Sequence, residues 1–426
     1  MSEVTKLEQP DIYKKSRFFY ILEATVEYFL AKFVTGAYLA KMTTAIGMSD
    51  SLTAIISAFV SLGFTFQLFA LFFARKNIVK PIIVTLTLLT QLAFSFLYVI
   101  PVLNISKSVK IVVFICIFLV AEVFKNTTYS PKMAWLMGIV DDSKRGSFTA
   151  KKEIISLISG IVISVTMGNM IDYFEALGNQ RGAFILGGIT MFTLTAIHIT
   201  LLLLIKEKPE KVVSEPITRR IKKSITDKKL LVLMPLFIFA TIATYSTTPF
   251  YGTYQLNDLK MSMTTITLIT AIGSIVRAAV SMPIGKMADK YSFISSLNLC
   301  FVLLLVARVA NIFAGAQFYT IYVILHAASM AGLNLGTLNL TYDFVSRENR
   351  TGAIAIKNTL LGFVGFFTTL AFSPLVEYIQ RNGNKFLFFE NIYAQQVLSA
   401  FSVIMTVLCI IYLNAVVKPA KPNRVE

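Results

Sequence analysis

Long apolar stretches alternate along the chain with short charged or turn-rich breaks. The runs fall at about 18–41, 51–73, 80–101, 110–135, 150–171 and 182–205, and again at about 229–251, 262–284, 292–316, 317–341, 352–375 and 390–415. Each approaches the roughly 20 residues that a membrane-spanning helix needs. The pattern predicts twelve spanning helices, six on either side of the polar, proline-bearing stretch KEKPEKVVSEPITRRIKKSITDKK. The expected division is a terminal segment 1–17, a six-helix bundle 18–205, a linker 206–228, a second bundle 229–415 and a tail 416–426. A surface helix is expected within the linker around Ile217–Ser224, and only a tight turn separates the ninth and tenth runs at Ala316–Gln317.

Composition agrees with this pattern. Hydrophobic residues make up 55% of the 426 and charged residues 15%, against roughly 25% charged in soluble domains. The fold class is an all-α polytopic membrane protein in which two pseudo-symmetric six-helix bundles supply twelve transmembrane helices.

The formal charge of +17 would suggest a nucleic-acid partner in a soluble chain. Its distribution points elsewhere. With the runs as spans, Lys and Arg number four before the first, three after the second, five after the fourth, nine in the central linker and eight in the remaining segments of that side, 29 altogether, against seven on the opposite side. Positive residues collect on the cytoplasmic face. Both termini are therefore expected inside a cell (cytoplasmic) membrane, the partner being the lipid bilayer and no nucleic acid. Cys116, Cys300 and Cys409 sit in separate apolar runs with no framework spacing and read as small core residues. No cleavable leader follows the start, so the first span is expected to serve as its own targeting signal.

Two breaks resemble each other. Residues 140–152 read VDDSKRGSFTAKK and 345–357 read VSRENRTGAIAIK. Their overlay sets Arg145 on Arg350, Lys152 on Lys357 and, further on, Gly160 on Gly365. Each break follows the fourth helix of its half, as expected if one six-helix unit is built twice. Parallel repeats about an axis along the membrane normal characterise one large class of secondary transporters.

Gly285–Ser292, GKMADKYS, looks like the short G-x-x-x-D-[RK] loop of the major facilitator superfamily, and WLMGIVDDSKRGSFTAKK from Trp135 is similar to the loop after helix four in bacterial members. The resemblance implies an alternating-access transporter with helices one, four, seven and ten lining a central cavity. It also implies that Gly285 permits close packing, while Asp289 and Lys290 brace a cytoplasmic gate near Arg145 and its repeat mate Arg350. The matching first-half loop has Ala70 and Ala74 where Gly and Asp are expected, and only Arg75 keeps its character. Asp289 read as a solvated loop acid, and Arg145 and Lys152 read as ordinary cytoplasmic-side cations, are the plainer alternatives.

Ionisable residues inside a bilayer are costly and usually face a cavity or a partner. Helix one carries Glu23, Glu27 and Lys32, helix four carries Glu122 and Lys125, and helices eight and nine carry Arg277 and Arg308. Depth along the helices sets Glu27 level with Lys125, which makes Glu27 the candidate proton carrier and Lys125 its charge partner. Glu122 and Lys125, three apart, can instead pair with each other, Glu23 can snorkel, and both arginines can anchor helices. Tyr245 on helix seven and His326 and Asn334 on helix ten suit hydrogen bonding and stacking on a small polar or amphipathic solute; helix–helix hydrogen bonding is the alternative.

No HExxH, GxSxG or P-loop is present, so no cofactor, metal or nucleotide is called for. The expectation is a non-enzymatic, monomeric secondary transporter of a small-molecule solute, with the proton as coupling ion. A membrane-embedded enzyme and a non-transporting sensor on the same fold are the alternatives.

Overall fold

The computed structural model describes residues 12–67, 79–141, 145–208, 227–345 and 350–420, without the side chains of Arg145, Asp289, Asn334 and Arg350. The loop with Ala70, Ala74 and Arg75, and the linker segment 209–226 with its expected helix, lie outside the described residues.

The helices are α1 (Lys14–Lys32), α2 (Gly36–Ala45), α3 (Asp50–Phe66), α4 (Lys80–Leu97), α5 (Lys107–Gly138), α6 (Arg145–Ala176) and α7 (Gln180–Leu204) in the first half. The second half contains α8 (Lys228–Tyr245), α9 (Met263–Lys290), α10 (Phe293–Ala310), α11 (Ala316–Phe344), α12 (Arg350–Arg381) and α13 (Ala394–Tyr412). No strand occurs among the described residues. Eight helical stretches are long and apolar enough to cross a membrane by themselves. Among the described residues, α1 falls short because it carries Glu23, Glu27 and Lys32. Polarity that a lipid-facing helix would exclude is placed where protein or water can meet it.

The first span is two helices, not one run. α1 stops at Lys32, and α2 restarts at Gly36 with φ +57, a left-handed conformation that glycine adopts without steric cost. The freed carbonyls are used: Tyr98 donates to the Phe33 oxygen at 2.5 Å and the Thr35 hydroxyl to the Ala31 oxygen at 3.0 Å. The seventh span breaks too, passing after Tyr245 through Thr248–Phe250 and Tyr251–Thr253 to a wide-turn segment Tyr254–Asp258. The ninth span ends at Ala310, and its turn is Asn311–Gly315 with Gly315 at φ +133, several residues earlier than the sequence suggests.

GKMADK is the end of α9, not a loop. Its Lys, Met, Ala and Lys favour helix, and the turn is left to Tyr291–Ser292, where the Ser292 side chain caps α10 by accepting from the Ser295 amide. Gly285 packs against nothing, since a Cβ there would meet no atom within 4 Å. Lys290 lies over the Tyr291 ring at 5.3 Å. Cys116 is exposed, contrary to a core role, whereas Cys300 and Cys409 are buried.

The repeat is visible in the helices. α6 and α12 each have 32 residues, and both their first and last residues are 205 positions apart. Gly160 of α6 faces the Tyr28 ring of the first span, and Gly365 of α12 faces the Tyr245 ring of the seventh.

Among the described residues, the halves share buried apolar clusters at one end only. At the end opposite the termini, one buried cluster joins Phe33, Tyr38, Met167 and Phe184 of the first half to Tyr251, Met263, Ile266 and Tyr319 of the second. At the terminal end each half has its own cluster, one around Tyr20, Trp135 and Leu202 and one around Leu233, Leu297 and Phe344. Hydrogen bonds follow the same division. Asp172 accepts from the Met263 and Thr264 amides that open α9, at 2.9 and 2.8 Å, a helix cap of about 1 kcal/mol. Asp50 accepts from Asn257 at 2.7 Å and Gln380 at 2.8 Å, and Ser61 donates to the Gly362 carbonyl at 3.1 Å. Among the described residues, every hydrogen bond between the halves lies between mid-depth and that far end.

Gly252 closes this seam. A Cβ there would lie 2.5 Å from the Gly36 carbonyl oxygen and 2.8 Å from its carbon, backbone atoms that cannot rotate away. Gly252→Val should therefore part the far end. With a cysteine reporter at Ser164, below the seam, a membrane-impermeant thiol reagent added on the far side should label the mutant at least about tenfold faster, the equivalent of about 1.4 kcal/mol in the opening equilibrium. Equal rates would show that the Gly36–Gly252 contact does not hold the seam.

Candidate functional site

Two polar centres lie inside the bundle. The first is a charge cluster within the first half. The Lys132 ammonium sits 2.5 Å from Glu23 and 2.7 Å from Glu27, and His198 of α7 lies 2.9 Å from Glu23 through Nε2. Glu23, Lys132 and His198 are buried, while the Glu27 side chain keeps 35% of its surface exposed. Glu23 Oε2 and His198 Nδ1 have no hydrogen-bond partner. Beside them Lys152 lies over the Tyr20 ring at 5.1 Å, and Thr25 meets Ser156 at 3.1 Å.

Glu27 thus pairs with Lys132, not Lys125, for a geometric reason. Side chains tilt toward the N-terminus of their own helix. α1 runs away from the terminal end and α5 returns toward it, so Glu27 reaches back to that end while Lys125 reaches the other way. Lys132, seven residues further along α5, reaches up to meet Glu27. Sequence reading counted Lys132 among the five cations after the fourth span, but α5 runs through Pro131 to Gly138 and holds Lys132 within the helix. Lys125 pairs with Glu122 at 2.9 Å, and Asn126 adds a hydrogen bond to the Glu122 carboxylate at 3.1 Å. Glu23 does not snorkel: it is enclosed by Lys132 and His198. Lys357, also counted with the loop cations, is buried over the Phe237 ring at 5.0 Å.

Ligand atoms of Glu23, Glu27 and His198 lie within 4.8 Å of one another, a spacing that a metal ion can bridge. The Lys132 ammonium already stands between the carboxylates as their cation, so the residues do not fit a resident metal.

The second centre is a cavity of about 230 Å³ at the junction of the halves, below the seam. Its walls are Tyr28, Lys32, Thr35 and Tyr38 of the broken first span, Gly160 and Ser164 of α6, Thr248, Tyr251 and Gln255 of the broken seventh span, Thr267, Thr270 and Ser274 of α9, and Tyr319 of α11. Both helix breaks open onto it. Lys32 is the one charged side chain among the described residues lining it, and its ammonium lies 5.4 Å from the Tyr28 ring centre. A cation at such depth costs at least about 2.5–3.5 kcal/mol unless water or an anion meets it. Within the wall Gln255 donates to the Tyr319 hydroxyl, and from behind it Asn311 donates to the Tyr251 hydroxyl at 3.3 Å. Tyr322 stacks between Tyr251 at 4.9 Å and His326 at 5.2 Å.

Of the candidates from sequence, Lys32 lines the cavity. Tyr245 and His326 do not; Tyr245 packs at the seam against Gly365, and His326 extends the tyrosine ladder one turn deeper. Asn334 and the gate residues Asp289, Arg145 and Arg350 have side chains outside the described residues. Arg308 is buried and donates to Thr406 and, at 3.3 Å, to Thr244, an anchor between the ninth, twelfth and seventh spans. Sequence reasoning missed Lys132, His198, Gln255 and Tyr319. His198 carried a signal, as one of only two histidines and lying inside an apolar run.

Two six-helix bundles that share a polar cavity and are sealed together at one end define a membrane transporter of the alternating-access kind. The Major Facilitator Superfamily model matches residues 24–368 and 233–426, and the chain belongs to that family. It is a multi-pass membrane transporter and not an enzyme. No curated protein matches the chain significantly in sequence. A mutant form of the nucleoside transporter NupG is 13% identical, with 94% of this chain and 99% of that one covered, at a TM-score of 0.71. A bacterial homologue of the iron transporter ferroportin in its inward-facing state is 14% identical over 95% of this chain and 98% of that one, at 0.67. In its outward-facing state the same comparison gives 13% identity, 94% and 98% coverage, and a TM-score of 0.58. At these identities the likeness is one of fold.

Proposed function

We propose that this protein is a proton-coupled secondary transporter that carries a small polar solute across the cell membrane, with both termini cytoplasmic. The carrying observation is the cavity walled by both halves directly beneath a seam that closes one end only. Solute held there is committed to whichever end is parted, as alternating access requires. With cytoplasmic termini this arrangement is inward-facing, in keeping with the better overlay on the inward-facing ferroportin homologue. Epitopes on both termini should then be reached by antibody only after the membrane is permeabilised.

Proton coupling rests on charge balance in the cluster. Two carboxylates face one ammonium, so these three groups carry one excess negative charge that one proton would neutralise. Burying that excess charge is unfavourable, and an ion gradient can exploit the difference. The half-exposed Glu27 is the entry point, and Lys132 is its charge partner. The test is a reconstituted system: proteoliposomes with an internal pH dye, offered a panel of small polar metabolites. Solute-dependent proton entry supports the reading. Solute uptake with no proton movement removes the coupling, and no flux of any solute would favour a sensor on this fold.

A further inference from the structure

We propose that the transported solute is a small carboxylate bearing an O–H or N–H donor, its carboxylate seated on Lys32 and the first amides of α2. This deepens the transport reading above and rests on it. The cavity has one charged lining group, the Lys32 ammonium, and its described walls supply no acid to neutralise it. The break at Phe33–Thr35 starts α2 at the cavity wall, with Gly36, Ala37 and Tyr38 lining it. The first amides of a helix have no intrahelical acceptor and sit at its positive end. Cation and amides therefore converge on one place, and one cation matches a singly charged carboxylate better than a dianion.

The rest of the wall restricts the solute further. The hydroxyls of Thr35, Tyr38, Thr267, Thr270 and Ser274 all donate to backbone carbonyls. What they still offer is lone pairs, which call for a donor on the solute. The Tyr251 and Tyr319 oxygens are held by Asn311 and Gln255, so both rings are fixed as flat apolar surfaces. The volume of about 230 Å³ is smaller than the roughly 300–1,000 Å³ of sites for drug-sized ligands. A small planar hydroxy- or amino-carboxylate satisfies all of these features.

The test reads the charge of the cavity and then its occupant. In a Cys116→Ser background, Ser164→Cys and, separately, Ser274→Cys are exposed from the terminal face to two methanethiosulfonates of similar size, one ending in sulfonate and one in trimethylammonium. Each rate is divided by that of a free thiol. The anionic reagent should react about tenfold faster, as a unit charge a few ångströms away in a partly wet site would give, and Lys32→Gln should level the two rates. A preference for the cationic reagent, or a ratio that Lys32→Gln leaves unchanged, overturns the proposal. Protection of the thiol by para-hydroxybenzoate supports it, and protection by para-hydroxybenzamide alone overturns it. If neither thiol reacts with either reagent, the cavity is not on a water-connected path and the transport reading fails instead.

Discussion

Replacing Lys132 with leucine is expected to destabilise the protein by about 3–5 kcal/mol, the usual cost of removing one partner of a buried ion pair. The ammonium is the shared counter-charge of Glu23 and Glu27, so its loss leaves the buried Glu23 carboxylate without a lysine partner, beside the partly exposed Glu27. Leucine keeps the volume and the helix propensity, which isolates the charge. Thermal unfolding of the purified protein should show a large fall, whereas Lys290→Leu on the exposed end of α9 should show almost none. Adding Glu23→Gln to Lys132→Leu should recover much of the loss, because residues in one network are not additive. A double mutant no more stable than Lys132→Leu alone would show that the lysine acts by packing.

Glu27→Gln should abolish accumulation driven by a pH gradient while leaving solute exchange in place. With one proton per solute, a gradient of one pH unit supplies about 1.4 kcal/mol and sustains roughly tenfold accumulation. The mutant should equilibrate at onefold. Glutamine keeps the size and hydrogen-bonding reach of glutamate but cannot exchange a proton, so Lys132 retains Glu23 as partner and folding should survive. If accumulation persists with the wild-type pH dependence, Glu27 is not the coupling group, and His198 with its unpartnered Nδ1 becomes the next to replace.

The spans and their duplication were legible because period and polarity are local properties. The run after Arg145 and the run after Arg350 carry the same register in sequence and in space. The break in the first span was not legible, since FVTGAYL carries no charge and a single Gly inside an apolar run is a weak signal; the positive φ of Gly36 reveals the interruption. The cluster was half legible. Five charged residues on helices one and four announced a buried polar centre, but which carboxylate met which lysine depended on antiparallel helix directions and side-chain tilt. His198 came from a helix that sequence reading left out of the cavity, because its partner Glu23 is 175 residues away. The cavity wall was the least legible part. Gln255 and Tyr319 are ordinary residues until two broken spans bring them together.

The seam at the far end is made of glycine backbone, ring stacking such as Phe59 on Phe366 at 5.7 Å, and hydrogen bonds donated by amides to carboxylates. No ion pair bridges the halves among the described residues, although Lys41–Glu175 stands at its edge within the first half. Dissolved salt weakens exposed charge–charge attraction and barely touches packing or hydrogen bonds. The closure of the far end is therefore buffered against changes in ionic strength. A rise in salt, as in osmotic upshift, should leave this seam shut.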